Sequence, residues 1–280
     1  ADGAVNPNRL PNLTNVPAAG LPVTFTNYRF HDLGPSKVEV ENYQTRFLGG
    51  LKGETWGWSW DTALLYSKAD AKDESDGIDS KKLAAQLALS TPDAYNPFNG
   101  GCLDGAGGRD CTPSSKAALD AIRFRLKRHS TTTLTLADFK VSKPDLLTIW
   151  SGDVGVAAGV EFRHETQQDR RDPQLDGRTP FTDPVTGNTS NSNVTGVNDT
   201  PSTKGSRDVG SAFVEFALPL VSPEMNIPLV RRIDVQLAGR YENYSDFGSV
   251  AKPKVAFAWD VVDGVRFSGS WQKGFRAPNL

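Results

Sequence analysis

Two cysteines, Cys102 and Cys111, stand nine residues apart in the segment NGGCLDGAGGRDC. In an oxidising setting such a pair closes a small disulfide ring that stiffens a loop tip. The rival use is a two-cysteine metal site, and no histidine stands nearby to complete four ligands. A disulfide is therefore expected, and no metal centre. His31, His129 and His164 are far apart and show no H-E-x-x-H spacing. The acidic run Asp70, Asp73, Glu74, Asp76 and Asp79 offers carboxylate oxygens to calcium. It misses the D-x-D-x-D-G spacing, so it reads as a solvated loop. Gly100, Gly101, Gly105, Gly107 and Gly108 lack a strand before and a helix after them, which a phosphate cradle requires. Neither a G-x-S-x-G elbow nor a Walker loop occurs. The expectation is no enzyme and no cofactor. N-x-S/T triplets at Asn188, Asn193, Asn198 and Asn243 are what a chain rich in Asn and Thr produces by composition.

The elements that must carry these residues follow from composition and periodicity. The chain has 280 residues, 38% hydrophobic and 23% charged, with a net charge of -2. No basic excess exists to displace counterions from a phosphate backbone, so nucleic acid is not an expected partner. No apolar run of about 18 residues occurs, so no helix is expected to span a membrane. The only methionine is Met225, and the start carries no leader pattern; the chain is expected to be part of something longer. The strongest signal is a period of two. Ile233, Val235, Leu237, Gly239 and Tyr241 share one face, and Asp234, Gln236, Ala238, Arg240 and Glu242 the other. The same alternation recurs over residues 43–51, 56–66, 154–162, 210–218, 255–259 and 265–271. In the second of these, Trp56, Trp58 and Trp60 fall in one row. Such a row is hard to bury in a sandwich core, because each indole N–H needs a partner.

Short links (52–54, roughly 142–152, 219–229, 262–264) alternate with long polar ones at 69–121 and 166–206, with one tight turn at 245–249. Two short helices are expected in the first long loop, over 80–90 and 114–126. The second long loop holds few apolar residues and reads as solvated. Strands of about ten alternating residues with short turns on one side and long loops on the other match a transmembrane β-barrel. The fold class is all-β: an antiparallel barrel segment of about eight strands, with a possible ninth at 23–33. The apolar face then meets lipid, with the tryptophans in an interfacial girdle. The face carrying Asp61, Glu161, Arg163, Glu215, Asp234, Arg240, Glu242 and Arg266 lines a wet lumen. A soluble β-sandwich alternates in the same way and stays open as the rival.

Residues 240–280 sharpen the choice. They carry Arg240-Tyr241-Glu242, Tyr244-Ser245-Asp246-Phe247-Gly248, Pro253-Lys254, Trp259 and Gly274-Phe275-Arg276-Ala277-Pro278. Asn96-Pro97-Phe98, GLKG at 50–53 and GVEFRHE at 159–165 add to them. This set, spread over most of the chain, resembles the barrels of TonB-dependent receptors of the Gram-negative outer membrane. The resemblance implies a 22-stranded barrel closed by a plug. It further implies uptake of a scarce ligand, an iron-siderophore, cobalamin or an oligosaccharide, with energy supplied through TonB. Implied partners are the TonB complex acting through an N-terminal plug, the lipid bilayer and lipopolysaccharide. No plug, TonB box or closing strand is seen, so residues 1–280 are expected to be an internal barrel segment. A passive porin and a soluble adhesin or lectin domain remain the alternatives. For ligand capture, placement at the outer mouth points to Tyr95, Phe98, Arg109, Tyr244, Phe247 and Arg276, with Phe275 beside them. Arg276 has a second use, as a strut for the segment after the last strand.

Overall fold

The computed structural model describes residues 6–8, 15, 17, 25, 28–98 and 112–280. Eight strands form one antiparallel meander: β1 (Val38–Thr55), β2 (Trp58–Ile78), β3 (Arg123–Ile149), β4 (Gly152–Arg170), β7 (Thr203–Val221), β8 (Arg232–Tyr244), β9 (Gly248–Val262) and β10 (Val265–Gln272). The short strands β5 (Phe181–Thr182) and β6 (Thr189–Ser190) pair only with each other. Every strand of the large sheet lies next to its sequence neighbours within it.

Register keeps the apolar phase continuous across the sheet. Opposite Leu237 stand Phe216 on β7 and Val255 on β9, and Val255 in turn faces Trp271 on β10. Two same-face steps along, Ile233 faces Val221 and Trp259, and Trp259 faces Phe267. A slip of one residue would turn this whole set to the other face. Leu237, Tyr241, Val255, Phe257, Phe267 and Trp271 are exposed, so the face is apolar without covering a core. Among the described residues the buried apolar side chains are few, and most lie outside these alternating stretches. At the short-turn end the indole N–H groups of Trp150 and Trp259 donate to the carbonyls of Leu220 and Leu229, at 3.3 and 3.1 Å. At the other end of the same face, His164 meets Asp208 at 2.6 Å.

The polar phase is packed through small residues. A Cβ at Gly159 would come within 2.5 Å of the Phe213 ring and 2.9 Å of the Phe139 carbonyl. Phe213 therefore packs on β4 in a contact that only glycine permits.

Several boundaries differ from expectation. The first hairpin turns at Trp56-Gly57, not at 52–54, with φ of 53° and 75° at the two positions. That pair of left-handed residues matches the twist of the flanking strands. Trp56 thus sits in the turn, 93% exposed, outside the row of Trp58 and Trp60. Strand β3 continues through Pro144 to Ile149 and turns only at residues 150–151, because the fixed φ of proline suits extended chain. The long loops are shorter than 69–121 and 166–206, since β2 runs to Ile78, β3 starts at Arg123, β4 ends at Arg170 and β7 starts at Thr203. Beyond the apolar band both faces of a strand meet water, so alternation disappears while the ladder persists. No strand occurs in the described part of 23–33; His31–Leu33 is a 3-10 turn.

The chain divides into two compact units, one of residues 1–42, 71–130 and 169–203 and one of 43–70, 131–168 and 204–280. The first contains α1 (Ser80–Leu87) and α2 (Lys116–Ile122). Asp79 caps α1 by accepting from the Lys82 N–H at 3.0 Å. Ser115 caps α2 in the same way at 3.1 Å, and α2 stops at Ile122, short of the expected 126. The second long loop is not merely solvated. Ser192, Asn193 and Val194 are buried, and the Asn193 amide donates to Asp79 at 2.9 Å and to Gln174 at 2.8 Å. Hydrogen bonding does there what apolar burial cannot. The burial also leaves the Asn193 amide inaccessible to any modifying enzyme.

Candidate functional site

In the second unit the polar faces of β4, β7, β8 and β9 converge on a charged cluster. Arg240 and Lys252 stand directly opposite each other on β8 and β9. Two cations at such a pair repel, and Glu242 resolves this by accepting from Arg240 Nε at 2.7 Å and Lys252 Nζ at 2.6 Å. The Tyr244 hydroxyl also donates to Glu242. Arg240 reaches further, to Glu161 at 3.1 Å and the Ser211 hydroxyl at 2.9 Å. Arg163 lies 3.5 Å from Glu161 and 3.3 Å from Glu165. Nearer the short turns, Arg266 pairs with Asp260 at 2.8 Å.

Above this cluster three rings gather. Tyr244 stacks on Phe247 at 4.3 Å, and Phe275 lies 5.5 Å from Phe247 and 6.1 Å from Tyr244. Lys252 Nζ sits 5.8 Å from the Phe275 ring. Next to this group Arg276 is exposed, with no ion pair among the described residues. The strut contact considered for it is not present there. Phe247 and Phe275 are exposed, while Tyr244 is buried behind them at 6%; exposed rings beside a guanidinium are groups that can engage flat or anionic molecules by stacking and charge.

The other residues singled out from the sequence lie elsewhere. Tyr95 is in the first unit and is 1% exposed. Its hydroxyl meets that of Tyr28 at 3.1 Å and donates to Asp32 at 3.2 Å; burial, then Tyr28, pushes the phenol pKa far up. Phe98 packs on Phe25 at 5.7 Å in the same unit. Arg109, Cys102 and Cys111 lie outside the described residues. Lys252 in the charged cluster and Arg207, whose guanidinium lies by the rings of Tyr244 and Phe247, are not evident from the sequence. Both fall on the polar phase of their strands, Arg207 with Ser211 and Phe213 and Lys252 with Lys254, and this is the signal that could have found them.

A family model described as TonB dependent receptor-like, beta-barrel matches residues 3–280. The chain belongs to the TonB-dependent receptor barrel family. Members of this family are outer-membrane transporters rather than enzymes, and the polar phase described above is accordingly the luminal wall. No curated protein and no solved structure matches the chain. No helix among the described residues is long and apolar enough to cross a membrane. Strands cross it instead, with the alternating stretches next to the short turns as the spanning parts.

Beyond those stretches the wall is tied by charge. On the luminal phase Arg128 grips Asp169 at 2.8 and 3.0 Å, with Ser130 at 2.9 Å and Arg171 at 3.0 Å. On the opposite phase Arg125 meets Asp76 at 3.1 Å, Glu39 at 3.1 Å and Glu74 at 3.6 Å. The acidic run is therefore in large part a strand edge neutralised by its neighbour. Among the described residues no group of three acidic, His or Cys side chains is arranged to hold a metal.

The Arg128 guanidinium holds the Asp169 carboxyl below the usual range, against the opposing effect of burial. The backbone N–H of Lys37, then Arg125, does the same for Asp76. A carboxyl with a lowered folded pKa stabilises the fold fully above its unfolded value of about 3.9, and that stabilisation is lost as pH falls through the folded value. Amide protons of 123–130 and 165–170 should therefore keep their exchange protection at pH 5 and lose it progressively below about pH 4. Protection unchanged well below that pH would contradict the assignment.

Proposed function

We propose that this barrel wall serves an active receptor that captures a scarce ligand at its outer mouth and imports it with energy supplied through TonB and a plug. The observation that carries this reading is the exposed Arg276, without an ion pair among the described residues, next in sequence to Phe275 in the ring group of Tyr244, Phe247 and Phe275. A mouth of rings and guanidinium suits an iron-siderophore, cobalamin or an oligosaccharide, ligands with planar or anionic faces. Arg109 supplies a second cation in the same role. Tyr95 and Phe98 act behind the surface, as supports of the first unit. Lipid and lipopolysaccharide contact the apolar face.

The test is uptake by Gram-negative cells producing the full receptor, with and without TonB. Radiolabelled ferric catecholate, ferric hydroxamate, cobalamin and maltodextrin serve as probes. The reading expects one probe to be accumulated only when TonB is present. Arg276→Ala combined with Phe247→Ala should weaken its half-saturation by about tenfold, the loss of one charge-assisted contact or more. Equal uptake with and without TonB would replace this reading with a passive porin.

A further inference from the structure

One luminal side chain holds the ring cluster in place. Arg207 on β7 has a side chain only 5% exposed. Its Nε donates to both Asp246 oxygens at 3.0 and 2.9 Å, and one terminal nitrogen donates to Asp246 at 2.6 Å and to the Pro278 carbonyl at 2.9 Å. The guanidinium carbon lies 5.7 Å from the Tyr244 ring centre and 5.3 Å from that of Phe247. The donors of one fork are thus shared between the β8–β9 turn and the main chain that follows β10.

That following stretch, Lys273–Leu280, forms no regular secondary structure. Its anchors are few. The Lys273 N–H reaches the Pro253 carbonyl at 3.1 Å, and Phe275 rests on Phe247. At its far end Leu280 packs against Gly205, where an added Cβ would come within 3.4 Å. If Arg207 were removed, the contacts left to the segment beyond Lys273 among the described residues would be those of the Phe275 ring with Phe247, Tyr244 and Lys252 and the packing of Leu280 on Gly205. Arginine is suited to the task because its planar fork satisfies a carboxylate and a carbonyl together while its face stacks on rings. Lysine, a point charge, can satisfy one partner well but not both with a fixed geometry.

We propose that Arg207 is a positioning residue, a clasp that fixes Lys273–Leu280 against the β7–β8–β9 wall and so sets where Phe275 and Arg276 stand. The ligand role of those two residues rests on the functional reading above; the clasp itself does not.

The experiment separates the two. A nitroxide is attached at Asn279→Cys in the full receptor, with every native cysteine, Cys102 and Cys111 among them, replaced by serine to leave a single labelling site. Mobility is read by electron paramagnetic resonance, and heat-modifiable electrophoresis confirms a folded barrel. The clasp expects a largely immobilised label, with the mobile fraction rising about tenfold in Arg207→Ala and in Arg207→Lys, as loss of a charge-assisted hydrogen bond implies. Should Arg207→Ala fail to fold, Arg207→Lys carries the comparison. An unchanged line shape in a folded variant overturns the clasp. In uptake assays with the four probes, Arg207→Lys should raise half-saturation and leave the maximal rate unchanged. Raised label mobility with unaltered uptake of a probe that the parent accumulates would leave the clasp standing and overturn the ligand role of Phe275 and Arg276.

Discussion

Glu242→Ala is expected to destabilise the folded barrel by about 3–5 kcal/mol, the range for removing one member of a buried charge cluster. The carboxylate side chain is 5% exposed and is shared by Arg240, Lys252 and Tyr244. Its removal leaves Arg240 with Glu161 alone and Lys252 with no ion pair among the described residues, the two cations facing each other across β8 and β9. Glu242→Gln keeps acceptor capacity for one of them and should cost less. Combining Glu242→Ala with Lys252→Met should recover part of the loss, because one stranded charge goes with it. Urea unfolding in lipid vesicles, followed by tryptophan fluorescence, measures these three variants and Lys252→Met alone. A double variant as unstable as the sum of the singles would show that repulsion between Arg240 and Lys252 is not the cause.

The second large effect belongs to the opposite face. Leu237→Arg should cost about 2–4 kcal/mol, as for an arginine on the lipid side near the membrane midplane. Leu237 lies in the row with Phe216, Val255 and Trp271, so the charge has nowhere to reach but hydrocarbon. Ser270→Arg, one residue from Trp271 and on the luminal phase, should stay within about 0.5 kcal/mol, as substitutions on wetted surface do. The same unfolding assay compares the two. Equal costs at the two positions would mean that the faces are assigned wrongly.

Both predictions depend on a phase that the sequence displays openly. From Ile233 to Glu242 each side chain alternates between lipid and water, and a chain under that constraint records it residue by residue. Once a strand leaves the membrane the constraint ends. The run from Lys68 to Ile78 looks like loop for this reason, yet it continues β2, held by Arg125, Lys127 and Arg128 on the neighbouring strand. Turn positions are hard to place for a related cause. Lys52-Gly53-Glu54 has turn composition, but Gly53 is small because the Trp60 indole lies over it, within 2.6 Å of where a Cβ would stand. A glycine required by packing and a glycine required by a turn look alike in sequence. Of the residues expected at the ligand site, Tyr244 and Phe247 stack on each other, with Arg276 next in sequence to Phe275, because all sit in one motif-rich stretch. Tyr95 carries the same residue type into a buried hydroxyl pair, a distinction that only the partner Tyr28 makes visible.

The indole contacts at one edge of the apolar face and the His164–Asp208 pair at the other bound a stretch of defined height. On β4 the apolar phase runs from Val154 to Phe162, about 26 Å of extended chain. Tilted by about 40°, that becomes about 20 Å along the membrane normal, close to the apolar band of outer-membrane barrels. The immersion depth of the barrel is thereby written into its own wall. Indole donors pinned to backbone carbonyls stop it from rising, and an ionisable pair stops it from sinking. A bilayer of a different thickness would have to deform around this protein rather than shift it.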